Sequence, residues 1–273
     1  MTGTAADPRF DPSVAHPARV YNYWLGGKDN NAADRQAGEE VMRLRPEVVA
    51  GARANRYFLA RLVRFLAAGR GVRQFLDIGT GLPAVGNTHE IAQDVAPQCR
   101  VVYVDNDPLV LANARALLIS KPGGFCGYVD ADLCEPAAIV DAAAEAFDFR
   151  RPVAVLLLAV LHFIREDPAK IVAELAGPLA AGSFVAISHL TADFAPEQVT
   201  SGVGAYNTLV PAGITARTHS EVTALFGGLP MVAPGVVPVA GWRPDFPECV
   251  TQRADLYAGV AEKLPRRAGR GPE

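Results

Sequence analysis

Gln74 to Asn87, QFLDIGTGLPAVGN, constrains what this chain can fold into more than any other stretch. Phe75, Leu76 and Ile78 form a short apolar run around Asp77, and Gly79-Thr80-Gly81 follows directly. Leu82-Pro83 and a helix-start signal near Asn87 complete the unit. An apolar strand running into a glycine-rich turn and a helix is the βα unit that cradles nucleotide-like ligands. Glycine lets backbone approach a ligand and take positive φ at little cost. A Gly-x-Gly turn by itself is common by chance. A second apolar run, Val101 to Val104, strengthens the signal because it ends in Asp105, where an acid at a strand tip can hold two ribose hydroxyls. The interval from Asp77 to Asp105 accommodates one turn and one helix, which suits a parallel pair.

The remaining pattern extends that pair. Asn31 to Leu44 is helix-like, and Pro46 opens a second helix to about Ala68 whose Phe58, Leu59, Leu62, Val63 and Leu66 recur at helical spacing. Asn87 and Glu90 form a capping box, and Asp107-Pro108 supplies an N-cap and first-turn proline. Strands are predicted at Phe125 to Val129, at the uninterrupted apolar run Val153 to Leu158, and at Ser183 to His189. Thr191 to Ala216 reads as loop-rich, and Leu229–Val232 with Val236–Ala240 as a terminal strand pair. Five strands alternating with helices, plus that pair, imply an α/β fold with one doubly wound, mostly parallel sheet. The expected organisation is a single domain: a flexible lead-in over 1–17, an N-terminal arm with helices over 18–70, an α/β core over 71–245, and a C-terminal helix and tail over 246–273.

Within the arm, Tyr21, Tyr23 and Trp24 precede Gly26-Gly27 in a segment that resembles neither a plain helix nor a plain strand. Two readings stand: a hydrophobic arm docked on the core, or a lid whose aromatics, Tyr21 among them, wall a ligand site. Arg53 is a candidate for reaching a ligand carboxylate.

Half of the 273 residues are hydrophobic and the net charge is −3, so bulk electrostatics give no case for a nucleic-acid partner. Cys99, Cys126, Cys134 and Cys249 lack Cys-x-x-Cys pairing and are expected to be reduced thiols, with no metal site. With no signal-like apolar segment and no run of membrane-spanning length, the expected location is cytoplasmic and the expected partner a small-molecule substrate, not a membrane.

Two cofactors compete for the glycine turn. Gly79-x-Gly81-x-x-Ala84 satisfies the dinucleotide fingerprint in its alanine form, which would make an NAD-dependent dehydrogenase. Against it, the Asp77 carboxylate would face a diphosphate, and Pro83 removes an N–H that a diphosphate would use. S-adenosylmethionine carries a ribose, an adenine and an ammonium but no phosphate, and fits both departures.

In its motifs the chain resembles the class I S-adenosylmethionine-dependent methyltransferases, and among them the actinobacterial S-adenosyl methyltransferase family of unassigned substrate. PARVYNYWLGGKDN at 17–30, ARANRYFL at 52–59, QFLDIGTGLP at 74–83, VVYVDNDPLVL at 101–111, VDADLCEP at 129–136, PVAVLLLAVLHF at 152–163, GSFVAISH at 182–189 and PGVVPVAGWRPD at 234–245 carry the resemblance, in order, over most of the chain. It implies a Rossmann-like, seven-stranded sheet with its last strand antiparallel. It also implies the methionine part of the cofactor near Asp77, Gly79, Thr80 and Gly81, the ribose on Asp105, and the adenine near Asn106 and Asp132. Pro83 stands where the wider superfamily has a third glycine, so contacts beyond Gly81 stay open. A sulfonium already activates its methyl group, so a general base is required only for a hydroxyl or protonated-amine acceptor. His162 and His189, after the fourth and fifth predicted strands, are the candidates. The alternative from another class is a protein that binds S-adenosylmethionine or its product without transferring the methyl group.

Overall fold

Gln74–Ile78 forms strand β1, and all five of its residues are buried. A strand buried throughout needs neighbours on both sides and cover on both faces. Strands β2 (Arg100–Asp105) and β4 (Val153–Leu158) flank it, both parallel. Beyond them lie β3 (Phe125–Asp130) and β5 (Ser183–Leu190), also parallel. β7 (Leu256–Lys263) runs antiparallel to β5, and the two-residue β6 (Val237–Pro238) antiparallel to β7. The resulting order is β3-β2-β1-β4-β5-β7-β6. It is the expected mostly parallel seven-stranded sheet. The strand order reverses between β1 and β4, which places a crevice at their carboxyl ends. This computed structural model describes residues 10–117, 119–245 and 254–265; the first nine residues of the expected lead-in and the basic tail from residue 266 lie outside them.

Helices α1 (Pro17–Trp24), α2 (Ala32–Leu44) and α3 (Val48–Arg64) precede the sheet, α3 continuing into a π-helical turn at Phe65–Gly69. Between strands lie α4 (Thr88–Val95), α5 (Pro108–Leu117), α6 (Pro136–Ala144) and α7 (Pro168–Ala176), and after β5 come α8 (Pro196–Leu209) and α9 (His219–Ala224). Alternate strand residues point to opposite faces of the sheet. Phe75, Tyr103, Leu156 and Phe184 pack on Phe58, Leu62 and Leu66 of the α3 region and on Ile91 and Ala92 of α4. Leu76, Ile78, Val104, Val155 and Leu157 pack on Ile139 of α6 and on Ile171, Val172 and Leu175 of α7. Each such side chain, fully buried, contributes about 1.5–3 kcal/mol. Burial on two faces therefore holds the strand tips where the glycine turn needs them.

A third cluster joins Val20 of α1, Ala37 and Val41 of α2, Val48 of α3, and Tyr206 and Val210 at the end of α8. Four sequence expectations change here. The aromatic arm is a regular helix that begins at Pro17, with His16 as its extended N-cap residue. The stretch expected to be loop-rich contains α8, whose buried Val199, Gly202 and Tyr206 keep helical spacing between small and polar neighbours. The expected C-terminal helix is strand β7 where the chain is described; residues 246–253 lie outside the described residues. Of the expected terminal pair only Val237–Pro238 is strand, Met231 adding a single bridge to Ala261. The small residues of β7 hid its alternation. They serve close packing: a Cβ on Gly259 would come within 3.0 Å of Val236 and 3.1 Å of Met231 and Phe226.

Candidate functional site

The carboxyl ends of β1, β2 and β4 open into a cavity of about 410 Å³ roofed by α1, α2, α3 and α8. Its floor follows from the glycine turn. Gly79 has φ 69°, and a Cβ there would sit 2.3 Å from Val160 Cγ2, so no other residue fits. Gly81 has φ 66° with open space where a Cβ would be. The Thr80 hydroxyl donates back to the Asp77 carbonyl at 2.9 Å, which closes the turn.

Two carboxylates aim at this floor. Asp77 Oδ2 accepts from the Thr88 hydroxyl at 2.6 Å. Burial, only partly offset by Thr88 and by the nearby Arg56 guanidinium, raises its pKa to about 6. Asp105 Oδ2 accepts the Gly81 N–H at 2.9 Å, and its Oδ1 accepts the Asp107 N–H at 3.0 Å. Each Asp105 oxygen keeps a lone pair for a further donor, so the group can receive two hydroxyls side by side. Burial raises its pKa too, against those backbone N–H donors. At the rim Asn106 donates to Asp132 Oδ2 at 3.2 Å, and the Cys134 N–H donates to Asp132 Oδ1 at 2.8 Å. Asp77, Gly79, Thr80, Gly81, Asp105, Asn106, Asp132 and Tyr21 all line the one cavity.

Arg53 does not. It is exposed, and its helix turns the neighbouring Asn55 and Arg56 to the cavity instead. Arg56 donates to the Gly86 carbonyl at 2.8 Å, and Asn55 Nδ2 to the Tyr21 hydroxyl at 3.2 Å. Both lay beside Arg53 in the sequence, and only the phase of α3 separates them. His16 also reaches the cavity wall, with Nδ1 2.8 Å from Asp107 Oδ2. Tyr21 and Trp24 face inward three residues apart, while Tyr23 turns away to donate to Glu39 at 3.0 Å.

The two histidines part company. His189 lies within β5, fully buried and away from the cavity. Its Nδ1–H donates to the Leu190 carbonyl at 2.7 Å, and Nε2 accepts from Arg217 at 2.8 Å. Burial and Arg217 hold its pKa down at about 4. With both ring nitrogens engaged and no access, it has no route to a substrate, which corrects the expectation of a base there. His162, in a 3₁₀ turn after β4, lines the cavity, and its buried Nδ1 has no partner. Burial, then His189 and Arg217, push its pKa well below the ordinary histidine value, so it is neutral.

The arrangement at the strand ends suits a ribose-bearing ligand with an ammonium group better than a diphosphate, because Asp77 would repel the latter. Comparison with known proteins agrees. The crystal structure of a DUF574 family protein from Streptomyces avermitilis MA-4680 is 44% identical, covers 93% of this chain and 100% of its own, and superposes with a TM-score of 0.90. That of a proposed methyltransferase from Thermobifida fusca YX is 38% identical over 94% of this chain and 98% of its own, with a TM-score of 0.85. The plantazolicin methyltransferase BpumL, in complex with a triazolic desmethylPZN analog and S-adenosylhomocysteine, is 13% identical over 91% of this chain and 96% of its own; its TM-score of 0.53 reflects a shared fold. No curated protein matches the chain. A family model for S-adenosyl methyltransferases matches residues 3–264. The chain belongs to the S-adenosyl methyltransferase family, whose cofactor is S-adenosyl-L-methionine.

Proposed function

We propose that this methyltransferase seats its cofactor on the strand-end floor and transfers the methyl group, in the cytoplasm, to a small molecule held under the helical roof. Asp105 receives the two ribose hydroxyls, and Asp77, with the Gly79–Gly81 turn, receives the methionine ammonium. Asn106 and Asp132 border the adenine. The observation that carries this reading is Asp105, both of whose oxygens are oriented by backbone N–H groups while they face the cavity. The free thiols of Cys99, Cys126 and Cys134 support the cytoplasmic placement.

When bound, the cofactor supplies a methyl group on a positively charged sulfur. What remains for the protein is mainly to hold the acceptor in line, which is worth roughly 7–11 kcal/mol in well-oriented reactions. Exclusion of water by the roof strengthens each polar contact on the floor. His162, neutral and with access to the cavity, takes the proton of an acceptor hydroxyl or amine.

A thermal-shift titration tests the reading. S-adenosylhomocysteine at a hundredfold excess over its dissociation constant adds about 2.7 kcal/mol of stability. NAD, whose diphosphate would meet Asp77, leaves the melting temperature where it was. Equal stabilisation by both ligands would overturn the assignment of the floor.

A further inference from the structure

We infer that the half of the cavity under the helical roof takes an uncharged aromatic molecule as methyl acceptor; this deepens the reading of the site given above and rests on it. The first support is an unbroken arc of rings. Tyr21 and Trp24 lie 6.5 Å apart between centroids, Trp24 and Tyr206 6.3 Å, Tyr206 and Phe163 6.4 Å, and Phe163 and His162 4.4 Å. All five line the cavity. Two are pinned through their polar ends: the Trp24 indole N–H donates to the Gly38 carbonyl at 3.2 Å, and the Tyr21 hydroxyl to the Ala52 carbonyl at 3.0 Å. The rings thus offer faces and edges to a guest, and aromatic guests gain from offset or edge-on contact with such rings.

The second support is the charge pattern. An aromatic wall also suits a cation, and the surrounding charges decide against one. The carboxylates lining the cavity among the described residues, Asp77, Asp105 and Asp132, all lie at the strand-end floor. Two arginines line the cavity: Arg56 stands on the Asp77 side and donates to the Gly86 carbonyl at 2.8 Å, while under the roof Arg45 Nε donates to Asp255 Oδ2 at 2.7 Å in a pair buried on both sides. That pair leaves Arg45 no free charge for an anionic guest. Behind His162 and His189 stands the Arg217 guanidinium, which repels a cation. A charged acceptor would lose its water here without gaining a counter-charge. The aliphatic remainder of the wall, including Val48, Leu190 and Val203, suits a neutral guest.

Calorimetric titration of the protein saturated with S-adenosylhomocysteine tests this with three probes of one shape: 2-naphthol, 2-naphthoate and 2-naphthylmethylammonium. The naphthol is expected to bind at least tenfold more tightly than either ion. Tyr206→Ala, which breaks the arc, and Val203→Trp, which fills the half-buried wall beside it, are each expected to weaken the naphthol at least tenfold. S-adenosylhomocysteine affinity should stay within threefold in both variants. The inference is overturned if either ion binds as tightly as the naphthol, if none of the three saturates, or if folded variants bind it unchanged. Failure of the parent to bind S-adenosylhomocysteine would defeat the cofactor reading and this one with it. Intact cofactor binding without a preference for the neutral arene would defeat this one alone.

Discussion

The Ser188 hydroxyl donates to Asn55 Oδ1 at 2.7 Å, joining the fifth strand to the third helix from inside the protein. Ser188 Oγ in turn accepts the Ala159 N–H at 2.9 Å. Asn55 Nδ2 passes the chain on to the Tyr21 hydroxyl, which donates to the Ala52 carbonyl. Every donor direction in this relay is fixed, and it ties the first helix to the tip of β4. Ala159 at that tip has φ 55°, a left-handed conformation that a non-glycine residue holds only when its surroundings impose it. Ser188→Ala leaves the buried Asn55 oxygen without its donor, at a cost of about 1–3 kcal/mol. Denaturant unfolding should show that loss, and S-adenosylhomocysteine affinity should fall as Ala159, on the cavity wall, relaxes. Unchanged stability would contradict the relay.

Arg19 is 3% exposed, and its Nε lies 3.0 Å from Asp34 Oδ2, with Nη1 3.4 Å from Asp107 Oδ2. Removing one partner of a buried pair leaves an uncompensated charge and typically costs roughly 3–5 kcal/mol. Arg19→Ala is expected to destabilise the fold by that amount. The α1 amides are expected to be strongly protected from hydrogen exchange even without ligand, as befits a docked arm. Exchange of α1 at the rate of an open loop, slowing only when S-adenosylhomocysteine is added, would restore the lid reading.

Asp77 gives a pH signature. Its folded pKa lies near 6 against 3.8 for the free group, so the native state holds its proton more tightly than the unfolded chain. The stability from this group is complete below about pH 4 and is lost as pH rises through 6, about 3 kcal/mol in all. Facing it are the Thr88 hydroxyl, Arg56, Asp105 and Tyr103. A bound ammonium favours the carboxylate, so cofactor binding runs the opposite way. S-adenosylhomocysteine affinity is expected to be level above pH 7 and to fall by up to about tenfold per pH unit below 6. Asp77→Asn should be weaker at pH 7 and flat between 5 and 7. A parent profile flat over that range would contradict the assignment.

The histidines should separate in turnover and stability. His162→Ala is expected to slow methyl transfer to a proton-bearing acceptor by roughly 10²–10⁴ while leaving melting temperature and S-adenosylhomocysteine affinity nearly intact. His189→Ala removes two buried hydrogen bonds, one to the Leu190 carbonyl and one from Arg217, and should cost about 1–3 kcal/mol of stability. Loss of stability and affinity in His162→Ala would withdraw its role as base.

The floor of the site was legible because its residues depend on local rules. Asp77, Gly79, Gly81 and Asp105 sit at strand tips and turns, where spacing alone fixes position. The roof was less legible, since helix phase decides which neighbour faces inward: Arg56 and not Arg53, Trp24 and not Tyr23. Even there, the i, i+3 interval between Tyr21 and Trp24 carried a helical signal that the glycine pair after it obscured. His189 and His162 each follow an apolar run, and only tertiary packing distinguishes the one locked by Arg217 from the one facing the cavity. β7 escaped detection because Ala258, Gly259 and Ala261 are small for reasons of packing, which removes the alternation that marks a strand.

The most direct test of the account is isothermal calorimetry of S-adenosylhomocysteine with the parent protein and with Asp105→Ala. Loss of a charge-assisted hydrogen bond to the ribose is expected to cost roughly 1.5–3 kcal/mol, a ten- to hundredfold weaker dissociation constant. Equal affinity in a normally folded Asp105→Ala would contradict the seating of the cofactor on this floor.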